Sequence, residues 1–396
     1  MSPLRSSVAY SLFTLTDGAF RMMVLFQCVL LGYSTSDLAL VFVLYELAGV
    51  VTNLYGGRAA ARYGHAASMR IGLVLQTIAV ACYVVGSQST VIWVLFALQG
   101  AAGVAKDMVK IGAKSAVADS AAGAGMFRWI AAITGAKNAT KGVGFFLGAA
   151  LVSTIGAGWG AAVLAVVTLA ALGVVFGGTE KPQPTTSKSR RRSWLSPITA
   201  VNRLAVARLF LFGAREVWLA IALPVWLSQY AGWDFWQSGA VMAGYTIGYG
   251  FIQAFTPRLL GGAQAPDGRF TALISLLPAL VSGITFICFR TMPLSWVLIT
   301  GVGVYSIAFA VTSALHSYLI GAYAQQGAVS RDIGIYYSAN ALGRLLGLLA
   351  SGMVYAQWGM EGILLATLLA VLPAALIALP LPAPAGVVSI ETGADS

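Results

Sequence analysis

The segment FTLTDGAFRMMVLF, residues 13–26, places Asp17 and Arg21 one helical turn apart among apolar neighbours. Similar intrusions recur along the chain: Glu46, then Lys106, Asp107 and Lys110, then Lys137 and Lys141, the adjacent Arg215 and Glu216, and Arg344. Their types define the available chemistry. A guanidinium is a planar fork that holds phosphate or carboxylate oxygens two at a time, and a lysine adds a mobile point charge. A carboxylate beside such cations releases its proton while they are free and regains it when another anion competes for them. The set contains no nucleophile with its base, so catalysis is not expected. Cys28, Cys82 and Cys288 stand far apart with no C-x-x-C, and His65 and His316 are the two histidines, which removes a disulfide framework and a thiol or histidine metal site. No Walker A loop is present, so ATP is not expected to drive the protein, and no cofactor is expected.

The elements that must hold these charges follow from composition. Hydrophobic residues make up 58% of the 396 and charged residues 9%, and the mean hydropathy is +0.82. A soluble domain of this length does not look like that. Apolar runs recur end to end, each near the roughly 20 residues that carry a helix across hydrocarbon, without the ten-residue alternation of a membrane barrel. The predicted fold is all-α and polytopic, with crossings over 8–31, 37–57, 69–87, 91–113, 127–154, 159–178, 202–229, 236–260, 270–289, 293–322, 332–356 and 361–382. The first lacks a small-residue cleavage site and is expected to remain as a helix. The polar break GTEKPQPTTSKSRRRSWLSP divides the crossings six and six. Expected units are therefore a first six-helix half over 1–178, a basic linker over 179–200, a second half over 201–383 and a tail over 384–396.

Lysine and arginine placement gives the orientation. With the N-terminus inside, Arg5, Arg58, Arg62, Arg70, Lys114, Arg128, Lys181, Lys188, Arg190 to Arg192, Arg258, Arg269 and Arg331 fall at cytoplasmic ends, and Arg290 is the outward exception. Both termini are expected in the cytoplasm. The formal net charge of +11 is largely this topology signal, so the lipid bilayer rather than nucleic acid is the expected partner of the basic linker.

Counting along the spans puts Asp17, Arg21, Glu46, Lys137, Lys141, Arg215, Glu216 and Arg344 near mid-membrane, with Lys106, Asp107 and Lys110 in the inner third. Each charge at the bilayer centre costs about 2.5–3.5 kcal/mol on an insertion scale, so it must face the bundle interior or a watery cavity. Asp17 and Arg21 share a helical face and either neutralise one another or serve a ligand. Glu216 projects about 100° from Arg215 and is less self-satisfied by its neighbour. Glu46 is either a lysine's partner or a proton carrier. Lys110 and Lys114 are expected to snorkel to the inner surface, while Lys137 and Lys141 lie too deep for that. At mid-depth five cations (Arg21, Lys137, Lys141, Arg215, Arg344) face three anions (Asp17, Glu46, Glu216). A low-dielectric cavity holds such a surplus only if lysines give up protons or an anion arrives. The expected ligand is a small, multiply charged acid. Arg21 and Arg215 sit in the first helix of each half, which predicts that they face one cavity from opposite walls.

The 6+6 layout with a basic central loop resembles the major facilitator superfamily, and the arginine pair resembles its organophosphate antiporters. The superfamily's loop signature G-x-x-x-D-R-x-G-R-R is matched in part by GRAAARYGHA, where Gly57, Arg62 and Gly64 agree while Ala61 stands for the aspartate and His65 for a basic residue. This resemblance implies a gating role for Arg62 and Gly64. The glycine-spaced GVGFFLG (142–148), GYTIGYG (244–250) and GRLLG (343–347) read as helix-packing seams rather than nucleotide fingerprints.

Longer segments narrow the likeness. FTLTDGAFRM (13–22), LGYS (31–34), LYELAGVVTNLYGG (44–57), GVAKDMVKIGAKSAV (103–117), ITGAKNATKGVGFFLG (133–148), FGAREVWLAIALPVWL (212–227), GYGFIQAFTPRLLG (248–261), HSYLIGAY (316–323) and YYSANALGRLLG (336–347) resemble the ArsJ-type organoarsenical efflux permeases of that superfamily. The resemblance implies a bacterial inner-membrane exporter of 1-arseno-3-phosphoglycerate, made in the cytosol when glyceraldehyde-3-phosphate dehydrogenase accepts arsenate, with that enzyme a functional partner. The alternative is a carrier of ordinary phosphorylated acids such as phosphoglycerate. In either case Arg21, Lys137, Lys141, Arg215, Arg344, Lys106 and Lys110 are the candidate substrate ligands. Asp17, Glu46, Glu216 and Asp107 are the supporting or proton-coupling candidates, with Asp17 expected to orient Arg21. Arg344 either lines the site or caps a gate.

Overall fold

The computed structural model describes residues 3–63, 65–86, 91–118, 124–176, 195–260, 267–323 and 329–383, with side chains left out at 3 and 254 and over 53–65, 114–135, 257–260 and 329–331. Lys114, Arg62 and Gly64 fall in those gaps, as do most of the linker and all of the tail. Among the described residues the chain is helical: α1 Pro3–Leu30, α2 Thr35–Tyr63, α3 His65–Gly86, α4 Ile92–Ala118, α5 Ala124–Phe176, α6 Thr199–Val217, α7 Leu223–Gln229, α8 Phe235–Leu260, α9 Gly268–Thr291, α10 Ser295–Tyr323 and α11 Val329–Ala378.

Two of these are hairpins. α5 breaks at Gly156 (φ 78°) and α11 at Gly359 (φ 58°), left-handed backbone that a side chain would strain. Both glycines fall in the gaps the hydropathy pattern leaves between paired crossings. A Cβ on Gly160 would stand 3.0 Å from that of Leu151, a separation a straight helix forbids, so the chain reverses there. Among the described residues nine stretches are long and apolar enough to span a membrane; two of them, of 41 and 47 residues, are the doubled ones. With α8 the crossings reach the twelve that the sequence predicts.

One crossing is not a plain helix. α6 and α7 are joined by a π-helical turn, Trp218–Ala222, just ahead of Pro224. Proline lacks the N–H that would close the next α-turn, and the widened turn accommodates it. Ser351 Oγ of α11 receives the Ala222 N–H at 3.3 Å.

Packing repeats in register. Gly144 and Gly148 bring α5 against the backbone of Leu15 and Ala19 in α1, and Gly343 and Gly347 bring α11 against Leu209 and Gly213 in α6. The seams read from GVGFFLG and GRLLG are therefore real contacts, and in GYTIGYG Gly250 packs against Asn138 of α5 while Gly244 has open space beside it. The same register superposes Arg21 on Arg215. Likewise Lys106 Nζ donates to the Tyr45 carbonyl at 3.5 Å and Ser306 Oγ to the Tyr245 carbonyl at 3.3 Å.

Outer faces stay apolar and exposed, for example Ile78 on α3, Val166 on α5, Leu280 on α9 and Leu376 on α11. Such faces need hydrocarbon around them. Exposed Trp93, Trp159, Trp236, Trp296 and Trp358 gather at the end of the bundle remote from the termini, as an interfacial belt does. At that same end Thr35 Oγ1 donates to the Gly352 carbonyl at 3.1 Å, and Phe26 stacks on Phe235 with ring centroids 4.5 Å apart, tying α1 and α2 to α8 and α11.

Candidate functional site

The buried charges of α1, α2, α6 and α11 converge in the bundle interior. Arg21 Nη1 donates to Glu46 Oε1 at 2.9 Å and Nη2 to Glu216 Oε1 at 3.3 Å. Arg344 donates to the same Glu46 oxygen, and its Nε lies 4.0 Å from Glu216 Oε2. Arg215 Nη2 donates to Glu216 Oε2 at 2.8 Å. Two carboxylates are thus held by three guanidiniums, and Arg21 and Arg215 meet on opposite oxygens of Glu216.

A second group lies beside the first. Tyr45 Oη donates to the Asp17 carboxylate at 2.9 Å, and Lys141 Nζ is 3.7 Å from Asp17 Oδ2. Lys106 Nζ sits 3.7 Å above the Tyr45 ring, and the Arg21 guanidinium is 5.2 Å from that ring and from Phe42. Tyr45 therefore joins the Asp17 pair to the arginine cluster.

Three expectations are corrected by this geometry. Asp17 does not orient Arg21: the pair shares a helical face, but shorter contacts across helices, with Tyr45 and Lys141 for Asp17 and with Glu46 and Glu216 for Arg21, take both side chains. Glu216 is not left aside by Arg215, because two long side chains on neighbouring residues close the angular gap. Lys110 pairs with Asp107 on α4 instead of reaching the inner surface. Lys137 is half-buried one turn before Lys141 and has contacts of its own.

Sequence reading passed over several groups that the fold brings in. Tyr45 is one, and hydropathy could not flag it. The Tyr245 and Tyr305 hydroxyls and the Trp218 indole N–H are buried donors with no partner. Trp218 packs edge-on against Tyr305 with centroids 4.9 Å apart, a position the π-turn gives it. In the repeated register Asp17 corresponds to Leu211 and Lys106 to Ser306, so Tyr245 lacks the carboxylate that Tyr45 has. The α1–α5 wall is charged, and the α6–α10 wall offers neutral donors around Arg215. Among the described residues no group of His, Cys, Asp or Glu side chains could hold a metal ion.

This arrangement suits exchange of one anion for another. Glu46 Oε2 and Arg344 Nε are buried without hydrogen-bond partners, so both carboxylates sit on guanidiniums that an oxyanion with more acceptor oxygens would satisfy better. The family model described as Major Facilitator Superfamily matches residues 7–261. The chain belongs to the major facilitator superfamily. It is accordingly a polytopic membrane transporter of small molecules, and superfamily members are typically transporters rather than enzymes. No curated protein sequence matches it.

Proposed function

We propose that the protein is a secondary efflux transporter for 1-arseno-3-phosphoglycerate, working by alternating access between two six-helix halves, 1–178 and 201–383, joined by the 179–200 linker. The observation that carries the reading is the uncompensated charge of the buried cluster. Arg21, Arg215, Arg344, Lys106 and Lys141 surround Asp17, Glu46 and Glu216; Arg21 and the three carboxylates are buried, and the other four cations are partly buried. A surplus of cations in low dielectric is relieved by a multiply charged anion. The phosphate and arsenate ends of the substrate would engage the arginine forks, and the neutral donors near Arg215 would engage its hydroxyl. The long segments that resemble organoarsenical permeases favour this acid over an ordinary phosphorylated one. With the termini inside a bacterial inner membrane, the tryptophan belt lies outside, and the Thr35–Gly352 and Phe26–Phe235 contacts close the outer mouth. Export of an anion from a negative interior gains about 2.3 kcal/mol per charge per 100 mV. Glu46 and Glu216, released when substrate takes their arginines, are the groups that would carry protons inward.

Everted membrane vesicles supplied with arsenate, glyceraldehyde 3-phosphate, NAD and glyceraldehyde-3-phosphate dehydrogenase test the substrate. Arsenic uptake that needs every component supports it. Equal uptake from arsenate alone would identify a plain oxyanion carrier, and abolition by equimolar 3-phosphoglycerate would favour the ordinary metabolite.

A further inference from the structure

Arg208 lies two helical turns before Arg215 on the same face of α6 and is 3% exposed. It differs from every arginine of the central cluster, because none of the described carboxylates is within ion-pair distance. Its Nη1 donates to the Ser313 carbonyl at 3.0 Å, its guanidinium stacks 3.9 Å from the Phe212 ring and 5.1 Å from Tyr336, and its Nε has no partner. A backbone carbonyl and two π-faces do not neutralise a buried cation. The surroundings are polar and incompletely satisfied. The Tyr336 hydroxyl and His316 Nδ1 are buried without partners, and Ser313 Oγ shares a 3.1 Å hydrogen bond with Tyr249 Oη. His316 lies one turn along α10 from Ser313, and its Nε2 faces Ser275 Oγ at 3.4 Å.

Phe212 links this place to the central site, since Arg215 stacks on the same ring at 4.8 Å. In the repeated register Thr14 stands where Arg208 does, so the feature belongs to α6 alone. Stability does not account for it: a buried, unpaired guanidinium destabilises a fold.

We propose that Arg208 is a second anion-binding station, which takes a phosphate-type oxyanion on the terminus-proximal side of the central cluster and hands it past Phe212 to Arg215. The inference rests on the anion-transport reading above and adds a position and a direction to it. Substrate arriving from the terminus-proximal face meets Arg208 first; substrate arriving from the opposite face meets the central cluster first.

The test uses the full chain in vesicles of both orientations, with labelled 3-phosphoglycerate and inorganic phosphate as probes and half-saturation of exchange measured from each face. Arg208→Gln should raise half-saturation about tenfold from the terminus-proximal face, the scale of one lost charge-assisted hydrogen bond, and leave the other face unchanged. Arg208→Lys should shift that same face in the same direction by less, and it carries the test if the glutamine variant does not fold. Arg208→Met should raise the thermal unfolding midpoint of the purified protein without ligand. Equal shifts on both faces, unchanged half-saturation on both, or a lowered midpoint for Arg208→Met would each overturn the station. A wild-type protein that moves neither probe nor the arsenylated acid would overturn the transport reading along with it; loss of the face-selective effect alone removes only the station.

Discussion

Arg21 and Arg344, from the first helix and the last hairpin of the chain, donate to the same oxygen of Glu46. Neither arginine is near the other in sequence, and Glu46 comes from a third helix. The contact ties α1 and α2 to α11 at the centre of the bundle, so whatever competes for these guanidiniums acts on all three helices at once.

Removing that shared counter-ion should be costly. Glu46→Gln leaves two buried guanidiniums sharing a neutral oxygen, and breaking a buried pair in this way typically costs about 3–5 kcal/mol. Thermal unfolding in detergent should shift down sharply. Millimolar phosphate should restore more of the midpoint in the variant than in wild type, because the anion replaces the lost charge. A variant as stable as wild type would mean that Glu46 carries no charge in the resting protein.

The proposed exchange makes Glu46 and Glu216 the proton carriers. The double replacement by glutamine should leave exchange insensitive to an imposed pH gradient while a response to membrane potential remains. Transport driven only by potential predicts no pH-gradient response in wild type either, and fluorescence quenching of a pH dye in reconstituted vesicles separates the two.

Asp17 and Arg21 should respond differently to substitution, since they belong to neighbouring groups rather than to one pair. Asp17→Asn frees Lys141 and loosens Tyr45, adding positive charge without touching the arginine forks. The expected outcome is tighter binding of 3-phosphoglycerate with slower turnover, measured as opposite changes in half-saturation and maximal exchange. Tyr45→Phe should reproduce the direction at smaller amplitude.

Helix seams give a prediction independent of ligand. Gly148→Ala drives a methyl group into the Ala19 carbonyl, and Gly343→Ala drives one into that of Leu209. Backbone cannot yield as a side chain does, and overpacking of this kind costs about 1–3 kcal/mol. Both variants should lose folded yield by fluorescence-detected size exclusion, whereas Gly244→Ala, with nothing within 4 Å, should match wild type.

The fold was legible because hydrocarbon imposes length and apolarity on every crossing. Even the reversals inside α5 and α11 were marked, by glycines at the predicted gaps. Membership of the cluster was legible for Arg21, Glu46, Arg215, Glu216, Lys141 and Arg344, since a charge at mid-depth must turn inward. Partners were less so. Periodicity along one helix matched Asp17 to Arg21, but the choice between partners is made across helices, where Tyr45 is nearer to one and Glu46 to the other. The π-turn was hidden because a single proline in an apolar run does not say how the backbone will absorb it. Arg208 was available to the same depth argument that found Arg215, two turns further along the span, and only its lack of a carboxylate partner sets it apart in the structure.

The central claim is that two guanidinium forks, one from each half, hold the anion. Arsenic uptake into everted vesicles, with the coupled dehydrogenase system outside, should be measured for Arg21→Lys and Arg215→Lys at matched protein level. Each keeps the charge and loses the fork, so uptake should fall at least about tenfold in both. Wild-type uptake in either variant would contradict the account and make that arginine a structural partner of Glu216.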